Sequence, residues 1–159
     1  MGTKTISWED PLAAAAAGLK LSGREYMEAV RNGTISPPPI AQLFGFRLAE
    51  VGDGTAVFEV TPDEATYNPI GMVHGGVLCT MLDSAAGCAL HTTLAVGEAY
   101  SSIEIKVNFI KAVRAGSGLL QARGRVVKAG RRVGFAEAEA YVGDELVGSA
   151  TTTLLITRP

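Results

Sequence analysis

Between Glu64 and Glu98 the chain carries one formally charged residue, Asp83, in a segment dense in Ala, Leu, Met and Val. From His74 to about Leu94 the apolar residues Val77, Leu78, Met81, Leu82, Ala85 and Ala89 recur at helical spacing. A helix this apolar has to be wrapped by the rest of the chain. The rest is suited to wrapping. Thr55–Thr61, Ala99–Ile110, Leu119–Lys128, Val133–Val142 and Leu146–Ile156 alternate with period two, as half-buried strands do. Ala129-Gly130 and Gly143-Asp144 supply tight hairpin connections between the last three. The order is strand, long helix, then four strands. It predicts an α+β fold with one long central helix wrapped by a curved antiparallel sheet of five or more strands. A chain of 159 residues is large enough for one such core.

The first 45 residues read as a helical N-terminal arm, and residues 46–159 as the sheet-and-helix domain. Asp10-Pro11 is a cap followed by proline at the first helical position, and Gly18 ends that helix. Ser22 and Glu25 form a capping box opening a second helix that stops at Asn32-Gly33. Pro37-Pro38-Pro39 is a stiff break, followed by an apolar turn within Ile40–Phe46. The arm has no metal-ligand spacing and no acid–base cluster, so it reads as a lid or packing arm.

Formal charge is −2, which excludes a generally basic nucleic-acid binder, and no apolar run nears the roughly 20 residues of a membrane span. Trp8, Glu9 and Asp10 precede the alanine run Ala13–Ala17 where a secretory signal would be basic, so the expectation is cytoplasmic. Cys79 and Cys88 lie nine residues apart on one helix, hence on opposite faces, and read as buried reduced thiols. Charge is unevenly placed. Residues 1–103 hold five Lys/Arg against eleven Asp/Glu, and residues 104–159 hold nine against five. The basic third, with Lys111, Arg114, Lys128, Arg131 and Arg132, suits solvated strand ends or a small polyanionic ligand such as a phosphorylated cofactor.

On a helical wheel Asp83 falls opposite the apolar centre of the long helix, beside Thr80, Ser84 and Gly87. Burying an unpaired carboxylate costs several kcal/mol, and no basic residue lies nearby in sequence, so Asp83 points to function. Gly75-Gly76 after His74 bares the first-turn N–H groups, which can hold a carbonyl oxygen that becomes an oxyanion. With Asn68 six residues before His74, the set suits acyl transfer. His74 and Asp83 are nine residues apart, on opposite sides of one helix and about 13 Å apart along it. If both serve one reaction, the site is shared between two copies of the chain in a two-fold dimer. Ser101, on the strand face expected to carry Ile103, Ile105, Val107 and Phe109, offers a hydroxyl to the backbone, to Asp83 or to an attacking water.

Asn68-Pro69-Ile70-Gly71-Met72-Val73-His74-Gly75-Gly76 with Asp83 resembles the hotdog-fold acyl-CoA thioesterases, in particular the phenylacetic-acid-degradation type. The resemblance covers about residues 45–156. It implies Asp83 as general base or nucleophile, and the Gly75 N–H as the group polarising the thioester carbonyl. Asn68 would orient water or substrate, and Ser101 would match the assisting hydroxyl on the next strand. His74 belongs to the same catalytic set. The substrate implied is an aromatic or medium-chain acyl-CoA, with coenzyme A part of the substrate, and no other cofactor or metal. Gly76, Lys128, Arg131 and Arg132 are the candidate contacts to coenzyme A. The assembly implied is a homodimer or dimer-of-dimers tetramer with shared sites, binding neither nucleic acid nor membrane.

No zinc-ligand cluster, Gly-x-Ser-x-Gly elbow or phosphate-binding P-loop is present in the sequence. A hotdog hydratase would place an aspartate two residues before Asn68 and a histidine two after, where this chain has Thr66 and Ile70. A non-catalytic acyl-CoA binding or sensing module would need no carboxylate at Asp83.

Overall fold

The computed structural model describes residues 1–158. Helix α1 spans Pro11–Gly18 with Asp10 capping it, α2 spans Gly23–Arg31, and α3 spans Pro39–Phe44. The Ser22/Glu25 capping box is formed in both directions. Two strands follow, β1 Arg47–Gly52 and β2 Thr55–Val60, then the central helix α4 Gly75–His91. Four more complete the chain: β3 Ala99–Phe109, β4 Leu120–Ala129, β5 Val133–Val142 and β6 Glu145–Thr157. They form one sheet of six strands in the order β1-β2-β4-β5-β6-β3, every neighbouring pair antiparallel. This is the hotdog arrangement.

The strand that periodicity does not reveal is β1. The register slips between Leu48 and Glu50, so Ala49 has no partner on β2 and the alternation of apolar and polar residues breaks. The turn that pairs β1 with β2 is the Asp53-Gly54 hairpin, with Gly54 at φ +68°.

Helix α4 lies against one face of the sheet and buries Val77, Leu78, Met81, Leu82, Ala85, Ala89 and Leu90 there. Small residues on the facing strands let it close. Ala122, Ala136 and Ala138 are buried beneath it, and a Cβ on Gly124 would strike the Ala85 carbonyl. The opposite sheet face carries the ion pairs Arg47–Glu59 and Arg125–Glu137. Met27 of α2 and Ala41 of α3 belong to the same core cluster as Leu82. The Gly23 N–H donates to the Leu94 carbonyl at 3.0 Å, which fixes α2 to the C-terminal end of α4. Helix α1, by contrast, buries no residue. Among the described residues no helix is long and apolar enough to cross a membrane.

Candidate active site

The loop before α4 is tied down from several sides. The Asn68 side-chain oxygen accepts from the N–H groups of Ile70 and Met72, both at 3.1 Å, and the Asn68 N–H donates to the Met72 carbonyl at 2.7 Å. Two donors on that oxygen fix which way the amide faces, leaving its NH2 to donate elsewhere. The His74 N–H donates to the Thr66 carbonyl at 2.8 Å, and the Val73 N–H to Val113 at 2.9 Å. The helix entry is therefore held by the chain's own hydrogen bonds.

His74 is the N-cap of α4, and its Nδ1 accepts from the Gly76 N–H at 2.8 Å. A neutral imidazole accepting at Nδ1 carries its proton on Nε2. The Val77 N–H donates to the His74 carbonyl at 2.9 Å. Of the first three N–H groups of the helix, Gly75 is the one without an acceptor among the described residues. The capping thus singles out one free donor at the positive end of the helix. The Gly76 N–H, by contrast, is engaged by His74 in this structure.

Gly75 opens into a cavity of about 400 Å³ with Asn68, Met72, Leu78, Phe109, Lys111 and Val113 on its walls. Lys111 is ion-paired with Glu145 at this rim. Phe109 lies directly against Gly75: a Cβ there would stand 3.0 Å from the ring. The sequence motif signals neither Lys111 nor Phe109 as a wall of this cavity, because both come from the far end of β3 and the loop after it.

Asp83 is half-buried on α4, and its carboxylate accepts from the Ser102 hydroxyl at 2.7 Å. This corrects the expectation for Ser101. The register of β3 on β6 slips between Ser102 and Glu104, so Ile103 is an extra residue. Beyond it Ile105 and Val107 pair with Thr152 and Ala150, both buried beneath α4. Before it the parity changes. Ser102 pairs with fully buried Leu154, whereas Ser101 pairs with Leu155 on the opposite face. The alternation Ser101, Ile103, Ile105 therefore does not describe one face. Tyr100 shares the Ser102 side and sits over Gly87, its hydroxyl 2.5 Å from where a Cβ would be. Burial pushes the neighbouring Cys88 thiol up to about 12, so it stays protonated at neutral pH.

Within one chain Asp83 and Gly75 do not converge. Eight residues separate them on α4, about 12 Å along its axis. Their contacts on β3, Ser102 and Phe109, lie seven residues apart, about 20 Å along that strand. Nor do Lys128, Arg131 and Arg132 approach Gly75 of their own chain. A Cβ on Gly134 would meet Leu90 at 2.7 Å, which places the β4–β5 hairpin at the C-terminal end of α4.

Residues 70–149 match the model of the thioesterase superfamily. The chain belongs to that superfamily. A candidate esterase of Pseudomonas aeruginosa is 30% identical over 114 residues, 71% of this chain and 84% of that protein. Among solved structures, a candidate thioesterase described as a phenylacetic acid degradation-related protein, from Ralstonia eutropha JMP134, is 29% identical with a TM-score of 0.74. The match covers 82% of this chain and 98% of that one. A thioesterase family protein from Silicibacter pomeroyi has a TM-score of 0.75 at 26% identity, over 84% of this chain and 99% of its own. The protein is thus a hotdog thioesterase, a thioester hydrolase.

The bulge in β3 makes a direct prediction for the thioesterase. Ser102→Ala removes the hydroxyl that Asp83 accepts from and should lower kcat about ten- to hundredfold, as losing a hydrogen bond to a charged group does. Ser101→Ala should leave kcat within twofold. Steady-state hydrolysis by the two variants, side by side, checks this, and the reverse ranking would assign the assisting hydroxyl to Ser101.

Proposed function

We propose that this thioesterase hydrolyses an aromatic or medium-chain acyl-CoA to the free acid and coenzyme A in the cytoplasm. The observation that carries the reading is the Gly75 N–H, which the first turn of α4 leaves without an acceptor among the described residues and which opens into a cavity with largely apolar walls. A thioester oxygen seated on that N–H gains stabilisation as charge develops on it, because the donor is already oriented and the helix end favours negative charge. The Asn68 NH2 stands beside the same cavity to orient the substrate carbonyl or a water. Asp83 either takes a proton from the attacking water or attacks the carbonyl carbon itself, displacing the thiolate of coenzyme A and leaving a mixed anhydride that water then cleaves to the free acid and the Asp83 carboxylate. With an attacking water, the hydroxyl adds to the carbonyl carbon, the C–S bond breaks, and the proton held by Asp83 returns to the sulfur.

The two halves of this chemistry sit at opposite ends of β3, which is an edge strand. Two β3 strands pairing antiparallel about a two-fold axis bring Asp83 and Ser102 of the partner subunit towards Phe109 and Gly75. Ile103, Ile105 and Phe109 are 57%, 37% and 59% exposed on the single chain, apolar surface that such pairing would cover. The same symmetry gives each site the opposite helix end of its neighbour. Lys128, Arg131 and Arg132 then become candidates for the phosphates of coenzyme A bound at the other chain's Gly75, with the latter chain's Lys111 at the rim. The phenylacetic acid connection of the Ralstonia protein supports an aryl substrate, and the apolar walls suit either acyl class.

The test is a panel of aryl and alkyl acyl-CoA esters, with the matching pantetheine thioesters, assayed for thiol release. Hydrolysis of CoA esters with KM raised about tenfold or more in the Lys128→Ala/Arg131→Ala/Arg132→Ala variant, kcat nearly unchanged, supports phosphate binding by the hairpin. Pantetheine thioesters should be insensitive to those changes. Equal effects on both substrate sets would make the hairpin a solvated surface, and no thiol release from any ester would leave the binding-module reading in place.

A further inference from the structure

We infer that Tyr100 is a positioning residue: seated on Gly87 of α4, it sets where the Ser102 hydroxyl meets Asp83, an inference that rests on the reading of Asp83 as the catalytic carboxylate. Two contacts join the start of β3 to the helix. The Ser102 hydroxyl donates to Asp83 at 2.7 Å, and two residues earlier the Tyr100 ring lies along Gly87. A Cβ on Gly87 would stand 2.5 Å from the Tyr100 Oη, 2.7 Å from Cε2 and 2.9 Å from Cζ, so glycine is what leaves room for the ring. The spacings agree. Asp83 and Gly87 are one turn apart, about 6 Å along α4, and Tyr100 and Ser102 are about 7 Å apart along β3. Fixing one contact therefore fixes the other.

The bulge leaves Ser102 with regular pairing on the Tyr100 side alone. Tyr100 pairs with Ile156 and Ser102 with Leu154, and the ladder then breaks at Ile103, which has no partner on β6. An extra residue of this kind bends the strand and disrupts the ladder locally. On the Tyr100 side the strand is braced. The Tyr100 ring meets His91 edge-on at 5.5 Å between centroids, and His91 meets Tyr26 of α2 at 5.3 Å. Aromatic contacts of this kind favour particular geometries, so the row Tyr26, His91, Tyr100 holds the last ring against Gly87. Burial pushes the Tyr100 hydroxyl well above its ordinary range, so it stays neutral and adds no charge near Asp83. The N-terminal arm, outside the matched residues 70–149, thereby supports the catalytic carboxylate through Tyr26.

The experiment compares Tyr100→Leu and Tyr100→Phe, each alone and combined with Ser102→Ala. Turnover is measured with the ester hydrolysed fastest in the panel above, binding of the matching unreactive CoA thioether by calorimetry, and the Ser102–Asp83 distance by crystallography. Tyr100→Leu should lower kcat about tenfold or more, since small displacements in a reacting geometry are that costly, and should leave thioether binding within about twofold. In the Ser102→Ala background the same change should cost less than about twofold, because the hydroxyl it places is gone. Tyr100→Phe keeps the ring and should keep both turnover and the 2.7 Å contact. Gly87→Ala displaces the same ring from the helix side, should show the same dependence on background, and carries the test if Tyr100→Leu does not fold. Equal losses in the two backgrounds, or a 2.7 Å contact intact in Tyr100→Leu, overturn the inference. A contact that opens in Tyr100→Leu, with turnover unchanged there and in Asp83→Ala alike, supports the positioning while counting against Asp83 as the catalytic carboxylate.

Discussion

Asp83→Ala leaves a folded protein whose thioester turnover is at least about 100-fold lower, within the range that a general base or its equivalent contributes. The fold should survive because Asp83 is half-buried and its carboxylate makes one side-chain hydrogen bond in the chain, to the Ser102 hydroxyl. No basic group is left stranded by the change, since none is paired with Asp83 among the described residues. Asp83→Asn keeps nearly the same shape and should retain thioether binding while losing turnover to a similar degree. Single-turnover hydrolysis with a thermal melt on the same samples checks both halves. Turnover near the wild-type level in Asp83→Ala would remove this carboxylate from the mechanism.

Mixing inactive Asp83→Ala with inactive Asn68→Ala and allowing subunits to exchange should restore about a quarter of wild-type activity. In a mixed dimer one site collects both defects and the other collects neither. Random exchange makes half of the dimers mixed, each with one intact site of two. The expectation follows from the roughly 20 Å along β3 between the Asp83 contact at Ser102 and the Gly75 contact at Phe109. Exchange confirmed by mass with no recovered activity would mean that each site is completed within a single chain.

Most of the architecture was legible where one period held along a whole element. Helix α4 and strands β2 and β5 keep their spacing, β4 and β6 keep it on either side of single extra residues at Val127 and Val147, and the Asp10-Pro11 and Ser22/Glu25 signals mark helix starts that local chemistry alone decides. What periodicity missed lies at bulges. Ala49 hides β1, and Ile103 exchanges the inner and outer faces of β3, so Ser101 was expected where Ser102 stands. The loop motif marked Asn68, His74 and Gly75, but not that His74 engages the Gly76 N–H and leaves Gly75 as the free donor. That depends on a side-chain torsion, which residue spacing does not encode. Phe109 and Lys111 reach the cavity through tertiary packing, about 35 residues after Gly75 in the chain, and no local pattern connects them.

Two of the sheet's four bulges fall on β1 and β3, its outer strands, and the others, at Val127 of β4 and Val147 of β6, lie inside it. An outer strand with exposed isoleucines is a template for open-ended stacking, the start of a fibril. An unpaired extra residue twists such a strand and interrupts the row of N–H and C=O groups that an added strand would need. On β3 the interruption at Ile103 leaves two short rows in place of one long one, so a flat, continuous docking of foreign strands loses its register there. Two identical strands meeting antiparallel about a two-fold axis, as proposed above, can place their irregularities symmetrically and close on each other. The same extra residue that displaces Ser101 thus favours a finite pair over a growing aggregate.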